Sequence, residues 1–175
     1  TDEEDFEDED ELEEDEKDIR YACRHDGDFL ALSFVSTKND LLDAKRIIDE
    51  EKSEIKIISK IESTTGIDNL KEIIELSDGI MVARGDLGVE APMEQIPFLQ
   101  KQIISECRRQ GKFCIVATEM LESMKKNVRP TRAEVSDIFH AVYHGASSIM
   151  LTNETAIGKH PIAAMKVLFE VAKEA

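Results

Sequence analysis

The stretch MVARGDLG (residues 81–88) begins as the end of a buried β-strand and continues with residues that a buried strand does not contain. Short apolar runs such as residues 80–83 are typical of strands that are buried on both faces of a parallel sheet. Directly after this run stand a cation, Arg84, and a carboxylate, Asp86, together with two glycines. Their position at the end of a strand makes these residues candidates for a functional site.

The same pattern, a short apolar run that ends in polar residues, occurs five times along the chain. It predicts β-strands over residues 28–35, 55–62, 79–86, 112–119 and 148–155. Apolar residues at helical spacing predict helices over residues 15–26, 39–52, 66–76, 97–110, 132–144 and 161–175. Strands that alternate with helices in this way predict right-handed βαβ units and a parallel sheet.

Two α/β architectures fit this alternation: an open doubly wound sheet, or part of an eight-stranded barrel. No Gly-x-Gly-x-x-Gly motif follows any predicted strand, which disfavours a dinucleotide-binding sheet. Polar residues stand at the C-terminal end of nearly every predicted strand, where the active sites of barrels form. They are Ser33, Lys60, Glu62, Arg84, Asp86, Thr118, Glu119, Thr152 and Glu154. We therefore expect a partial TIM (β/α)8 barrel of five parallel strands, with these side chains at one mouth.

The residue types at these strand ends indicate a site for a metal ion and an oxyanion. Glu62 and Asp86 end adjacent strands, so two carboxylates could share one hard divalent cation. Lys60 precedes Glu62 by two residues and therefore points to the same side of its strand, which places an ammonium beside the carboxylate. Gly85 and Gly88 let the backbone approach a ligand, and a helix that begins near Asp86 would offer free N–H groups to an anion.

Each of these motifs also has a purely structural interpretation. A single Lys-x-Glu is usually an exposed ion pair, and an acid at the end of a strand often caps the next helix. RPTRAEVSD (residues 129–137) is typical of a helix start, in which Thr131 and Glu134 form a capping box. The tripeptide RGD also occurs in cell adhesion, but here it ends a predicted buried strand. The four histidines show no spacing typical of metal ligands.

The net charge of −16 is concentrated at the N-terminus, because residues 1–17 contain thirteen acids and one base. A block of like charge with almost no apolar residues cannot bury enough surface to offset the entropy of ordering. We expect residues 1–15 to form an acidic leader that is disordered or extends a helix into solvent, and residues 16–175 to form the incomplete barrel. The nearly neutral remainder gives no support for nucleic acid as a partner.

The three cysteines include no Cys-x-x-Cys pair and are typical of buried, reduced thiols. The acidic N-terminus does not resemble a secretory signal, and no apolar run approaches the length of a membrane span. We therefore expect a cytoplasmic protein with no membrane partner.

Five strings, in order along the chain, closely resemble the pyruvate kinase family. They are ISKIES, GIMVARGDLGVE, ATEMLESM, RPTRAEVSD and MLTNETAIGKHP, and the resemblance extends over residues 16–175. It implies that the predicted strands are the fourth to eighth of the family's catalytic barrel. It also implies a glycolytic phosphotransferase, which moves a phosphoryl group from phosphoenolpyruvate to ADP and yields pyruvate and ATP.

The resemblance implies a role for several of the strand-end residues. Glu62 and Asp86 match the ligands of the essential Mg²⁺ (or Mn²⁺). Lys60 matches the lysine that neutralises the phosphoryl group in transfer and steadies the enolate. Thr152 keeps a hydroxyl for the family's proton relay, although Thr-Asn-Glu-Thr stands here where the family commonly has Ser-Gly-Glu-Thr.

The resemblance also implies how the substrate is held. The family binds the substrate carboxylate with a backbone turn, and the matching residues here are Ala83, Arg84, Gly85 and Asp86. Thr118 matches the threonine beside the reacting carbons. A homo-oligomer is implied as well, a tetramer in the family, together with a requirement for K⁺ whose site lies outside this stretch.

The first three barrel strands of the family, its lid domain and its C-terminal domain have no counterpart in residues 1–175. Five strands leave two unpaired edges and an open core wall, so we expect weak or no activity from this chain alone. Two alternatives remain open. One is a non-catalytic pyruvate-kinase-like fragment that acts as a binding or structural module, and the other is a related metal-enolate lyase or aldolase on the same barrel.

Overall fold

The computed structural model describes the backbone of residues 4–175 and the side chains of residues 14–175. Five strands form one sheet: β1 (Phe29–Leu32), β2 (Lys56–Ile61), β3 (Gly79–Ala83), β4 (Phe113–Ala117) and β5 (Ser148–Met150). The α-helices of this part of the chain are α1 (Glu4–Arg24), α2 (Lys38–Glu50), α3 (Thr64–Asp68), α4 (Leu70–Leu76), α5 (Arg84–Glu90), α6 (Ile96–Gln110), α7 (Arg132–Tyr143), α8 (Asn153–Ala156) and α9 (Pro161–Glu174). Short 3₁₀ turns occur at Met93–Gln95 and Glu122–Lys125.

The strands follow one another across the sheet in chain order, and every neighbouring pair is parallel. A doubly wound sheet would instead reverse its strand order at a switch point. The sequential order therefore confirms the predicted α/β fold, an arc of a (β/α)8 barrel with five parallel strands that alternate with helices. In the described sheet, β1 and β5 form the two edges.

The observed strands are shorter than the predicted ones, mainly at their C-terminal ends. The prediction of a strand as far as Asp86 was wrong, because β3 ends at Ala83 and α5 begins at Arg84. The predicted helix over residues 66–76 is two helices, α3 and α4, which meet at Asn69. α3 starts early because the Ser63 side chain accepts a hydrogen bond from the Gly66 N–H and caps it.

The two faces of the sheet have different surroundings. The face covered by the helices forms the main core, whose fully buried side chains include Ile61, Ile80, Val82, Val116, Leu41, Ile73, Ile103, Ile104 and Ile138. The opposite face carries a smaller apolar cluster of Ile58, Met81 and Ala117. Lys60 and Glu62 follow Ile58 at a spacing of two, so they belong to this second face.

The helix α1 packs against α2 through one buried side chain and an ion cluster. Ile19 of α1 is buried in the main core. Arg20 donates hydrogen bonds to Glu50 and Glu51, and Arg24 donates two to Glu51. These contacts fix the C-terminal half of α1 against the following βα unit.

The expected acidic leader falls mostly on α1, whose backbone is helical from Glu4. Its side chains before residue 14 lie outside the described residues, and the boundary at residue 15 stays a prediction. None of the helices in the described part of the chain is long and apolar enough to cross a membrane.

A buried pair of serines joins β2 to the end of α4. Ser59 and Ser77 are both buried, and their hydroxyl oxygens lie 2.6 Å apart. The Ser77 hydroxyl donates its hydrogen to the carbonyl of Ile73 at 2.6 Å. Because a hydroxyl has one hydrogen, Ser59 must be the donor to Ser77.

This chain of hydrogen bonds predicts unequal costs for the two alanine substitutions. Ser77→Ala removes the acceptor of a buried donor and should cost about 1–3 kcal/mol of unfolding free energy. Ser59→Ala leaves the Ser77 bond to Ile73 intact and should cost less than about 1 kcal/mol. Urea denaturation followed by circular dichroism measures both, and a cost for Ser59→Ala equal to or above that for Ser77→Ala would contradict the assignment.

The ion cluster of α1 and α2 predicts a loss of stability in acid. Hydrogen bonds from Arg24 and Arg20 lower the pKa of Glu51 from 4.5 to about 2. A carboxyl group whose pKa is depressed by folding stabilises the folded state above its unfolded pKa, and loses this contribution as the pH falls towards the folded value. The stability difference between wild type and Glu51→Gln should therefore shrink steadily as the pH falls below about 4.5.

Urea denaturation at a series of pH values measures this difference. Glu54→Gln provides the control, because Glu54 is an exposed acid outside the cluster, and the change with pH should be larger for Glu51→Gln than for this variant. A difference for Glu51→Gln that does not change between about pH 6 and about pH 3 would contradict the prediction.

Candidate active site

The predicted site residues lie at the C-terminal edge of the sheet. Glu62, Arg84 and Thr118 directly follow β2, β3 and β4, while Lys60 is the last but one residue of β2. Thr152 follows β5 after one intervening residue. Because all strands are parallel, their C-terminal ends meet at the same edge of the sheet.

The Glu62 carboxylate is completely buried and has one hydrogen bond. Its Oε2 accepts from the backbone N–H of Phe34 at 2.6 Å. The ammonium of Lys60 lies 2.8 Å from Oε1, but outside hydrogen-bonding geometry, so Oε1 has a neighbouring charge and no donor. Lys60 Nζ donates instead to the Ser33 hydroxyl at 3.1 Å. A buried carboxylate oxygen without a donor is an available cation ligand.

The turn after β3 carries the residues predicted to bind the substrate carboxylate. Ala83 is buried at the end of the strand, and Asp86 is exposed in the first turn of α5. This helix begins at Arg84, two residues before the expected start. The Gly85 N–H donates to the Thr118 hydroxyl at 2.8 Å, so the turn and the end of β4 are joined.

The Arg84 side chain is buried and forms hydrogen bonds with other residues of the chain. Its Nε and Nη2 donate to the Thr118 carbonyl at 3.1 and 2.7 Å, and its Nη1 donates to Asp137 at 2.5 Å. Arg84 is only 8% exposed, and these groups use most of its donors. The candidate substrate contact of Arg84 is therefore its backbone and not its guanidinium.

Three residues after strands adopt the left-handed backbone region. Phe34 has φ of 50°, Thr118 of 69° and Glu119 of 53°. Such a conformation costs a residue with a side chain about 1–2 kcal/mol. Side chains from neighbouring units hold two of these residues: Glu62 accepts from the Phe34 N–H, and Arg84 donates to the Thr118 carbonyl.

Thr152 is held by the buried acid that follows it. Glu154 is completely buried, and its two oxygens accept from the N–H groups of Thr152 at 3.0 Å and Leu121 at 2.9 Å. The hydrogen bonds of Thr152 within the described part of the chain join it to Glu154, Thr155 and Ala156. It lies at the same edge of the sheet but bonds to neither Lys60 nor Thr118.

The sequence predicts the residue types of the candidate site but not the bonds that hold them. The predicted capping box of Thr131 and Glu134 is confirmed by the structure. The role of Asp137 in the same motif was not predicted. A signal was present, because an arginine at the end of a buried strand requires an anionic partner. Nothing in the sequence indicated that this partner would be Asp137.

The described side chains, residues 14–175, contain no group of three or more His, Cys, Asp or Glu arranged to hold a metal ion. A cation at this edge would thus find at most two such ligands in this part of the chain, and the sequence predicts Glu62 and Asp86 for them. The remaining ligands would be water and substrate oxygens, as is usual for Mg²⁺. Oε1 of Glu62, which accepts no hydrogen bond, fits such a cation.

The chain is similar to curated pyruvate kinases over most of its length. It is 50% identical to that of Staphylococcus epidermidis over 161 residues, 92% of this chain and 28% of the relative. It is 54% identical to that of Thermotoga maritima over 90% of this chain and 34% of the relative. For Clostridium perfringens the identity is 49%, over 93% and 35%.

The chain thus spans about a third of the length of these relatives. The family model described as "Pyruvate kinase, barrel domain" matches residues 8–165. The chain therefore belongs to the pyruvate kinase family.

Proposed function

We propose that this chain supplies the divalent-metal and phosphoenolpyruvate sites of a pyruvate kinase. The reaction is transfer of a phosphoryl group from phosphoenolpyruvate to ADP, with pyruvate and ATP as products. The named relatives are pyruvate kinases, and they are about three times as long as this chain. We expect this chain to be weak or inactive alone, because its sheet has two open edges.

The observation that carries the proposal is the completely buried Glu62 carboxylate beside Lys60. Burial of a carboxylate is costly unless its charge and both oxygens are compensated. Here Oε2 has a donor, while Oε1 has only the ammonium at 2.8 Å and no hydrogen bond. This arrangement is incomplete as a structural ion pair and is suited to a third, cationic participant.

Glu62 and Asp86 would hold Mg²⁺ or Mn²⁺, and the ion would supply positive charge against the oxyanions of the substrate. Lys60 adds a fixed ammonium, which Ser33 and Glu62 hold in place. Phosphoryl transfer depends mostly on positioning and charge compensation, so this ammonium would act on the transferring group and then on the enolate oxygen.

The other residues would orient the substrate and move a proton. The backbone of Ala83, Arg84, Gly85 and Asp86 would face the substrate carboxylate, with the Thr118 hydroxyl beside it. When the phosphorus–oxygen bond to the enol breaks and a bond to an ADP oxygen forms, an enolate remains. The hydroxyl of Thr152 would take part in the relay that delivers a proton to the enolate carbon and yields pyruvate.

The open edges of the sheet favour a second candidate function. A non-catalytic module could use the unpaired backbone of β1 or β5 to bind a partner, because exposed strand edges pair readily. Phe29 and Phe34 at the β1 edge are 66% and 58% exposed. A related metal-enolate lyase or aldolase is less well supported, because Lys60 and the RGD turn match a phosphoryl-transfer site.

The remaining expectations follow from family membership. They are a cytoplasmic protein, a homo-oligomer, ADP and ATP as the nucleotide partners, and a need for K⁺ at a site outside this chain. None of the side chains discussed above bears on them.

Substitution of the two proposed metal ligands tests the function. We expect wild type to bind Mn²⁺ more tightly when phosphoenolpyruvate is present, and Glu62→Gln and Asp86→Asn each to weaken this binding about tenfold or more. Electron paramagnetic resonance of free Mn²⁺ measures it. Glu170→Gln on the exposed face of α9 is the control. A wild-type chain without phosphoenolpyruvate-dependent Mn²⁺ binding would favour the non-catalytic module.

Replacement of Lys60 separates the phosphoryl site from the metal site. Lys60→Met should lower the affinity for phosphoenolpyruvate about tenfold and leave Mn²⁺ affinity equal or higher, because it removes a cation from Glu62. The effect on pyruvate, which lacks the phosphoryl group, should be smaller. Lys56→Met, on the same strand and face but at its other end, should change neither. Titration calorimetry measures these affinities. Equal losses of affinity for phosphoenolpyruvate and for pyruvate would contradict the proposed role of Lys60.

A further inference from the structure

The buried side chain of Arg84 forms a second polar cluster behind the candidate site. We infer that Arg84, fixed by Asp137, is a positioning residue that holds Thr118 in the geometry needed for the substrate carboxylate. The inference rests on the proposed function, because it concerns how the same turn is oriented. In this inference the guanidinium of Arg84 positions Thr118, whereas the proposed function uses only the backbone of Arg84.

Arg84 forms two hydrogen bonds with the backbone of Thr118. Nε and Nη2 both donate to the Thr118 carbonyl, at 3.1 and 2.7 Å. Two donors of one planar group that converge on one oxygen define its direction more closely than a single bond can. With 8% of Arg84 exposed, little water competes for its donors.

Gly85, the residue after Arg84, forms a hydrogen bond with the side chain of the same threonine. The Gly85 N–H donates to Thr118 Oγ1 at 2.8 Å. Two consecutive residues after β3 therefore hold both polar oxygens of Thr118, the carbonyl and the hydroxyl. This double contact fixes the Thr118 hydroxyl relative to the turn that is proposed to bind the substrate carboxylate.

The backbone of Thr118 needs such a restraint. Thr118 and the following Glu119 have φ of 69° and 53°, a region that residues with side chains rarely adopt. A β-branched residue is especially disfavoured there. Without Arg84 the turn can relax towards a commoner conformation, and this would carry the Thr118 hydroxyl away from Gly85.

Asp137 fixes the guanidinium from the opposite side. Its Oδ2 accepts from Arg84 Nη1 at 2.5 Å, and the amide oxygen of Gln100 lies 3.4 Å from the same nitrogen. Asp137 belongs to α7 and Gln100 to α6, so two helices of the outer layer orient the arginine. Lysine could replace it only in part, because a single ammonium lacks this planar set of donors.

Four variants test the positioning role: Arg84→Met, Arg84→Lys, Asp137→Asn and the control Arg108→Met. Arg108 is an exposed arginine that donates to a carbonyl, that of His144, away from the site. We expect Arg84→Met to lower Mn²⁺-dependent phosphoenolpyruvate affinity about tenfold while Mn²⁺ affinity alone stays within about threefold. Arg84→Lys and Asp137→Asn should give smaller losses in the same direction, and the control none.

The methyl resonance of Thr118 provides a readout that needs no ligand. In ¹³C-methyl spectra of the chain, Arg84→Met should shift or split the Thr118 signal, and Arg108→Met should leave it unchanged. If Arg84→Met does not fold, Arg84→Lys and Asp137→Asn decide by the same two measurements.

The outcomes separate the positioning role from the proposed function. Equal losses of Mn²⁺ and phosphoenolpyruvate affinity would show a merely structural role and overturn the inference, as would unchanged affinities with an unmoved methyl signal. If the wild type binds no phosphoenolpyruvate, the proposed function fails and the methyl signal decides alone. A shifted signal then supports the restraint of Thr118 by Arg84, and an unmoved one overturns it.

Discussion

The candidate site depends on hydrogen bonds that join neighbouring βα units at the C-terminal edge of the sheet. In each, a side chain after one strand accepts from a backbone N–H after the preceding strand. The pairs are Glu62 with Phe34, Thr118 with Gly85, and Glu154 with Leu121. Glu62 and Glu154 are completely buried, so water does not weaken their bonds. The loops are thus held by their neighbours, and each depends on the correct pairing of the strands beneath it.

This dependence explains why strained backbone occurs at the site. Phe34, Thr118 and Glu119 have positive φ although each carries a side chain. Strain of this kind persists only where the surrounding structure determines the conformation more strongly than local preference does. The parallel sheet provides this rigid surrounding structure. The polar side chains at its edge form hydrogen bonds with the loops and so restrain their backbone.

The sequence was informative wherever a pattern is local. The five apolar runs and the helical spacing between them predicted the strands, the helices and the parallel sheet, because burial on two faces leaves a clear composition. The strand ends were wrong where a polar residue belonged to the next element, as at Arg84. The bond from Arg84 to Asp137 joins residues 53 positions apart and was not predictable, because it depends on where the tertiary fold places α7 relative to the start of α5.

The junction between β2 and β3 differs from the others. Within the described side chains, no hydrogen bond from a side chain joins the loop after β2 to the loop after β3, although the strands themselves pair. Glu62 and Asp86, the two proposed metal ligands, stand on either side of this junction, and Glu62 Oε1 has no donor. A shared cation would join these loops as hydrogen bonds join the others. The junction without a side-chain hydrogen bond is therefore the one that the proposed divalent ion would bridge.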